Sequence, residues 1–111
     1  MSLEALLVPS GSQIYYDPKF MQVLVDHLEW FRKRQDTQQV SVPPSELHKF
    51  RFNLFGFLAH YNVPQHKHYL TMRLNGLKHD HEFDYQHTNL YIPGDTSMEY
   101  LQQRFQTNYN I

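Results

Sequence analysis

Several residue types and patterns that carry chemistry are missing from this sequence. It has no cysteine, which excludes a disulfide framework, a thiolate zinc site, an iron–sulfur cluster and a cysteine nucleophile. Only four of its 111 residues are glycine, and no two lie close enough to form a phosphate-binding loop. No apolar run approaches the roughly 20 residues that cross a bilayer. The first eight residues include Glu4 and no basic residue, so we expect no secretion signal there.

An excess of charge of one sign is also lacking. Lys and Arg number 10 and Asp and Glu number 11, for a formal net charge of −1. A chain this balanced has no strong field to hold phosphates, so nucleic-acid binding would need a locally concentrated basic face. Two predicted helices joined at Asn62–Pro64 resemble a helix-turn-helix, but the second carries only Lys67 and Arg73 as cations. We therefore expect no nucleic-acid partner.

Helical periodicity dominates the first third of the chain. Asp17-Pro18 is a favoured pair for the cap and first position of a helix, and apolar residues then recur at helical spacing as far as Phe31. Arg32–Arg34 places cations at the negative end of the helix dipole. Together these features predict a helix over about 18–34.

The middle of the chain predicts a short strand and a longer helix. Val40–Val42 is extended and ends at a Pro-Pro pair, after which Ser45 can cap the helix. The apolar stripe of this helix comprises Leu47, Phe50, Leu54, Phe57, Leu58 and Tyr61. Phe52 and Phe55 lie about 100–180° round from that stripe. A helix that is apolar on two sides is buried on two sides, either in its own domain or against a partner.

The second half of the chain predicts a third helix over 65–74, ended by Asn75-Gly76 as a left-handed C-cap. Residues 77–88 form a polar loop in this prediction. Residues 88–93 have the composition of a strand and end in a Pro-Gly turn.

A last helix, capped by Asp95 or Thr96, completes the predicted domain. That domain spans 17–105. Residues 1–16 form an N-terminal arm in this prediction, and residues 106–111 form a polar C-terminal tail. Neither end has enough apolar content to offset the backbone entropy that ordering it would cost.

Histidine is frequent, and six of the eight residues fall within 60–87. The His-x-His pairs at 66–68 and 79–81, together with Glu82, could ligate zinc or iron. On a helix, however, the first pair diverges by about 200°, and solvated loop residues explain the second. No serine lies in a nucleophile elbow. We therefore expect no catalytic residue, no metal ligand and no cofactor, and the protein is predicted not to be an enzyme.

Aromatic residues are the most informative surplus. Phe, Tyr and Trp make up 15% of the chain, and these residues anchor protein interfaces. The four Phe residues between 50 and 57 cannot all face one small core. The predicted interface residues are Leu6, Leu7, Trp30, Phe52, Phe55, Tyr91 and Tyr109.

The order of predicted elements in the middle of the chain is that of a known fold: strand, helix, turn, helix, Asn-Gly, loop and a strand ending in Ile-Pro. The segments that carry this likeness are Phe50–Leu58, Met72–Leu77, Phe83–Tyr85 and Leu90–Pro93. Residues 40–95 thus resemble the LysM-type βααβ fold, and more closely the LysM-like baseplate wedge proteins of contractile-tailed bacteriophages. Pro43–Glu46 replaces the Gly-Asp-Thr-Leu sequence whose loop helps to line the sugar groove of true LysM domains, which weakens a carbohydrate-binding interpretation.

The resemblance implies an α+β fold, with a small LysM-like βααβ core, an added N-terminal helix, a C-terminal helix and extended terminal arms. It also implies a non-enzymatic structural protein of the virion tail, assembled in the host cytoplasm, that joins neighbouring subunits of the baseplate. Its partners would be other protein subunits, with no nucleic acid, membrane or small-molecule substrate. The first alternative is a LysM-type module that binds peptidoglycan, and the second is a His-rich metal-dependent enzyme or regulator.

Overall fold

The structure of the protein is a computed structural model that describes residues 13–109. Its elements are α1 (Pro18–Asp26), α2 (Leu28–Arg32), β1 (Gln38–Ser41), α3 (Pro44–Lys49), α4 (Leu54–His60), α5 (His68–Leu74), β2 (Asn89–Ile92) and α6 (Asp95–Tyr109). Short 3₁₀ turns lie before α1, before α5 and between α5 and β2. The protein therefore combines α-helices with a small sheet, as the sequence predicts. No helix within 13–109 is long and apolar enough to cross a lipid bilayer.

The helix predicted over 18–34 is two helices, α1 and α2, which meet at His27. Its start is as predicted, because the Asp17 carboxylate accepts a first-turn backbone N–H at 2.8 Å. At His27 the ring nitrogen Nδ1 lies 2.6 Å from the Val23 carbonyl oxygen, and the backbone N–H bonds to Leu24. In a continuous helix the His27 backbone N–H would bond to the Val23 carbonyl. The His27 side chain binds that carbonyl instead, and the helix is interrupted there.

The helix predicted from Ser45 is also two helices, α3 and α4, separated by residues 50–53. Phe52 has a φ of 66°, which a right-handed helix cannot contain. Asn53 then caps α4, because its side-chain oxygen accepts the Gly56 N–H at 3.0 Å. A Cβ at Gly56 would lie 2.4 Å from the Asn53 amide nitrogen, so glycine leaves room for this cap.

Two details of that helix prediction are wrong. Pro43 precedes α3 with no side-chain cap bond, and Ser45 is exposed within the first turn. Tyr61, assigned to the apolar stripe, is 48% exposed because α4 ends one residue before it. The five other stripe residues are buried.

β1 and β2 pair antiparallel, with Val40 opposite Leu90 and Ser41 opposite Asn89. Both strands lie within two residues of their predicted positions. Val40 and Leu90 are buried beneath the pair, which is what alternating apolar residues in a half-buried strand require.

Asn75, at the end of α5, holds the outer edge of β2. Its side-chain amide donates to the Tyr91 carbonyl at 2.9 Å, while the Tyr91 N–H donates to its Oδ1 at 2.8 Å. The same amide nitrogen donates to the Thr71 carbonyl at 2.7 Å. The predicted C-cap is confirmed, since Gly76 has a φ of 80° and the Leu77 N–H bonds back into the last turn of α5. One amide side chain therefore pairs with β2 as a third strand would.

Two clusters of buried side chains form the core. The first lies between the sheet, α3, α4 and the segment after α5, and the second lies among α1, α2, α5 and α6. Phe83 is fully buried in the first cluster, where its ring centroid lies 5.7 Å from that of Phe57. The polar loop predicted over 77–88 is therefore also a wall of the core, because Leu77 and Phe83 are buried.

Both limits of the predicted domain differ from the structure. Residues 13–16, assigned to the N-terminal arm, form a 3₁₀ turn in which Ile14 and Tyr15 are buried in the second cluster. Burial raises the pKa of the Tyr15 hydroxyl above its ordinary value. At the other end, α6 continues to Tyr109, past the predicted boundary at residue 105. The rest of the predicted arm, residues 1–12, lies outside the described residues.

A distant side chain caps α6 in place of Asp95 or Thr96. Asp36, in the segment after α2, accepts the Ser97 N–H at 2.8 Å and also accepts the Ser97 hydroxyl. Burial raises the pKa of the Asp36 carboxyl, but the hydrogen bonds from Ser97 outweigh burial and hold the pKa below its ordinary value. A Cβ at Gly94 would lie 2.2 Å from this carboxylate, so glycine allows the close approach.

Candidate protein interface

Phe52, at the junction of α3 and α4, is the most exposed of the large hydrophobic residues in the described chain. Its side chain is 52% exposed, and its backbone has a φ of 66°. The left-handed conformation costs an ordinary L-residue about 1–2 kcal/mol. The conformation persists because the Phe52 N–H donates to the Phe83 carbonyl at 2.7 Å and Asn53 begins α4 directly afterwards. The fold therefore holds an aromatic ring at the surface in a strained conformation.

Three further side chains join Phe52 in what we name the first aromatic surface: His48, Arg51 and Tyr85. The guanidinium carbon of Arg51 lies 4.8 Å from the centroid of the Phe52 ring and 5.3 Å from that of Tyr85. The same group donates to the Tyr85 oxygen at 3.1 Å. His48 lies nearly parallel to Tyr85, and a hydrogen bond of 2.8 Å joins His48 Nδ1 to the Tyr85 hydroxyl. Contacts with both rings hold the cation in place.

The first aromatic surface is cationic. Lys49 lies beside it, with its ammonium 5.3 Å from the Phe50 ring centroid. The acid next to Tyr85 in sequence, Asp84, is engaged with the Tyr85 backbone N–H at 2.8 Å. Within residues 13–109, Arg51 makes no ion pair. Its guanidinium therefore presents hydrogen-bond donors to whatever contacts the two rings.

Phe55, the neighbouring predicted interface residue, lies elsewhere. It is half-buried against the first core cluster and stacks on His68, with 5.6 Å between ring centroids. Its backbone N–H donates to the Asp80 carboxylate at 2.7 Å. These contacts are those of a residue that supports the start of α4.

Trp30 belongs to a separate patch, which we name the second aromatic surface: Trp30, Arg34, Tyr100 and Arg104. The Trp30 and Tyr100 rings stack with 5.8 Å between centroids. Arg34 lies 4.6 Å from the Trp30 ring, and Arg104 lies 5.4 Å from the Tyr100 ring. Two segments that are far apart in sequence, α2 with the residues directly after it and α6, thus bring two cations onto two stacked rings.

Tyr91, the other predicted interface residue whose side chain is described, does not join either surface. Tyr91 is half-buried against the second core cluster, with its backbone paired to Asn75. Leu6 and Leu7 lie outside the described residues, as does the side chain of Tyr109. Of the four whose side chains the structure describes, Phe52 and Trp30 therefore lie on these two surfaces.

The histidine-rich loop is organised by backbone contacts. Glu82 accepts the backbone N–H groups of Lys78 and His79, and the bond from Lys78 at 2.8 Å is the main reason why the pKa of Glu82 is below its ordinary value. His79 and His81 place their ring centroids 5.4 Å apart. Among residues 13–109, no group of three or more His, Asp or Glu residues could hold a metal ion.

His68 is buried and makes folding pH-dependent. Its Nε2 hydrogen-bonds the Val63 carbonyl at 2.7 Å, and burial lowers the pKa of the imidazole below its ordinary value. Below about pH 6.5 the unfolded chain therefore takes up protons that the folded chain does not, and acidification favours unfolding. Burial lowers the pKa of His66 in the same way.

We expect the free energy of unfolding, measured in urea, to decrease as the pH falls from 7 to 5. Changing His68 to Gln should make this dependence less steep, with His66 accounting for part of the remainder, and His81→Gln, at an exposed position, is the control. A wild-type stability that is constant or rises between pH 7 and pH 5 would contradict the assignment. Carboxyls whose pKa is lowered by folding, such as that of Asp36, also reduce the free energy of unfolding on acidification. They do so only when the pH approaches their unfolded pKa of about 4, which is below this range.

Comparison with known proteins does not assign the chain to a family. No family model, no curated protein and no solved structure matches the chain. The case for a function therefore depends on the two surfaces.

Sequence reasoning missed most members of both surfaces. Arg51 and Tyr85 are 34 positions apart in the chain, and nothing in their local sequence marks them as neighbours. One signal was present: four Phe residues in one short segment exceed what a small core can bury. That surplus indicated that the four rings could not all face one core, and Phe52 is the most exposed of them.

Proposed function

We propose that the protein is a non-enzymatic structural subunit that joins neighbouring protein subunits in the tail baseplate of a contractile-tailed bacteriophage. The observation that carries the proposal is the first aromatic surface, where a strained backbone holds Phe52 in solvent beside the Arg51 guanidinium. Strain of this kind persists at sites where the conformation is used. Aromatic and arginine side chains are also the residue types that dominate binding energy at protein interfaces.

The placement in a baseplate rests on the LysM-like resemblance, and the arrangement of the core supports that proposal. β1 and β2 pair antiparallel and enclose α3, α4 and α5 in the chain order. Asn75, which corresponds to the Asn after the second helix in the resemblance, binds the edge of β2. One difference is that the segment before the turn at Asn62–Pro64 forms two helices, α3 and α4, where the LysM-type pattern has one.

Changing Phe52 to Asn should abolish assembly without unfolding the protein. Asn tolerates the left-handed backbone better than Phe, so we expect an equal or higher melting temperature for the variant. Tyr61→Asn is the matched control, because Tyr61 is also an exposed ring, 48% exposed, but lies outside both surfaces. In phage that carry the variant gene, we expect Phe52→Asn to reduce the number of tailed particles at least about tenfold, because aromatic and Arg side chains dominate binding energy at interfaces. Tyr61→Asn should have no effect.

Two results would overturn the proposal. One is the absence of this chain from purified tailed particles by mass spectrometry. The other is wild-type particle yield with Phe52→Asn. A titration of the whole protein with the tetramer of N-acetylglucosamine distinguishes the main alternative: saturable binding that Phe52→Asn removes would assign the surface to carbohydrate. We expect no such binding.

A further inference from the structure

The second aromatic surface carries two guanidinium groups whose hydrogen-bond donors are not all used within the described chain. Arg34 donates through Nε to the Ser97 hydroxyl at 3.0 Å, which leaves the terminal nitrogens of its guanidinium without a partner in residues 13–109. The Arg104 side chain makes neither a hydrogen bond nor an ion pair within the same residues, and its described contact is with the Tyr100 ring. Both guanidinium groups therefore retain donors for a ligand, held in position by stacked rings.

The acids nearest to these arginines are engaged elsewhere. Glu29 is paired with Arg32, and Asp36 accepts two hydrogen bonds from Ser97. Glu99, which precedes Tyr100, projects about 140° round the helix from Arg104, whereas Tyr100 and Arg104 are only about 40° apart. Asp36 keeps its negative charge and interacts electrostatically with Arg34. The three cations Lys33, Arg34 and Arg104 outnumber it, so the local charge is positive although the whole chain has a net charge of −1.

A depression of about 380 Å³ adjoins Arg34 and gives a ligand room to approach. Its walls are formed by Lys33, Arg34, Gln35, Asp36 and Thr96. Lys33 adds a third cation, and the one carboxylate in the depression is already bound to Ser97. Positive charge thus continues from the ring stack into a concave surface.

We propose that the second aromatic surface binds an acidic segment of a partner protein, with aspartate or glutamate carboxylates on Arg34 and Arg104. Guanidinium groups bind carboxylates with paired, charge-assisted hydrogen bonds. Single-stranded nucleic acid is the less suitable polyanion, because its bases need free aromatic faces. Trp30 and Tyr100 each already have a ring partner and a guanidinium partner. This site is separate from the first aromatic surface and does not depend on the function proposed for that surface.

The test uses the full chain and two fluorescent probes, a hexaglutamate peptide and a twelve-nucleotide oligo-dT, titrated at low salt. We expect hexaglutamate to bind more tightly than oligo-dT. The double variant Arg34→Gln/Arg104→Gln should weaken hexaglutamate binding about tenfold, equivalent to about 1.4 kcal/mol. The matched control, Lys19→Gln/Lys78→Gln, removes the same charge from two exposed positions outside both aromatic surfaces and should change binding less than about twofold.

Arg34 also bonds to Ser97, so the double variant could act through the fold. Arg104→Gln alone avoids this, because the Arg104 side chain makes no hydrogen bond in the described chain. We expect the single variant to keep the wild-type unfolding curve and to weaken hexaglutamate binding about threefold. The proposal is overturned if the wild-type chain does not bind hexaglutamate, if Arg104→Gln binds it as the wild type does, or if the control weakens binding as much. Tighter binding of oligo-dT would assign the surface to nucleic acid.

Discussion

Phe83→Ala is expected to lower the free energy of unfolding by about 3–5 kcal/mol. Phe83 is fully buried in the first core cluster, and its ring contacts Phe57 and His87, with centroids 5.7 Å and 5.9 Å away. Removing the ring leaves a cavity that the surrounding side chains fill only in part. It also frees the segment that positions Tyr85, so the first aromatic surface should lose its arrangement as well. Urea unfolding at pH 7 measures the first effect.

Phe52→Ala provides the control for this prediction, since it makes the same chemical change at a residue that is 52% exposed. Its effect on the free energy of unfolding should stay below about 1 kcal/mol, because little apolar surface is returned to water. Equal losses at the two positions would show that Phe83 does not anchor the segment after α5.

Asn75→Ala is expected to cost about 2–4 kcal/mol of stability. The Asn75 side chain makes three hydrogen bonds, two with the backbone of Tyr91 and one with that of Thr71. Without it, a partly buried N–H and carbonyl on β2 lose their partners, and each unpaired group costs about 1–3 kcal/mol. Hydrogen exchange at the Tyr91 amide should accelerate along with the loss of stability.

Two variants sharpen the Asn75 prediction. Asn75→Asp has nearly the same shape and keeps an acceptor for the Tyr91 N–H, but it loses both amide donors, so it should also destabilise the fold. Asn89→Ala is the control, because Asn89 is exposed on the same strand and its amide makes only a long contact of 3.5 Å with Thr88. If Asn75→Ala unfolds at the same urea concentration as Asn89→Ala, the amide does not hold the edge of β2.

Local signals in the sequence predicted the elements whose ends are stabilised locally. Asp17 caps α1 through an N–H two residues away, and Asn75-Gly76 ends α5 through bonds to its own last turn. The two strands were found in the same way, from apolar residues bounded by Pro and polar residues. These features depend on neighbouring residues, so a one-dimensional pattern contains them.

The interruptions of two helices could not be predicted from periodicity. The apolar stripe passes through Phe50 and Leu54 as if the helix continued, yet Phe52 lies between them with a φ of 66°. The helix is interrupted because the Phe52 N–H donates to the Phe83 carbonyl. Phe83 lies within residues 77–88, which the sequence predicts to be a polar loop. Propensity is a weak prior, and a tertiary contact outweighed it here.

By itself, the sequence determined the mixed α and β composition, the positions of the two strands and an aromatic surplus too large for one core. These follow from residue type and spacing. Only the tertiary structure decided which rings are exposed and which cations accompany them. Arg51 meets Tyr85, and Arg34 and Arg104 flank one ring stack, only after separate helices and loops have packed on the two core clusters. Burial of Phe83 and the left-handed turn at Phe52 create the first surface, and packing of α2 with α6 creates the second. The physical reason is that a binding surface is defined by distances in space, and those are set by burial of residues far apart in the chain.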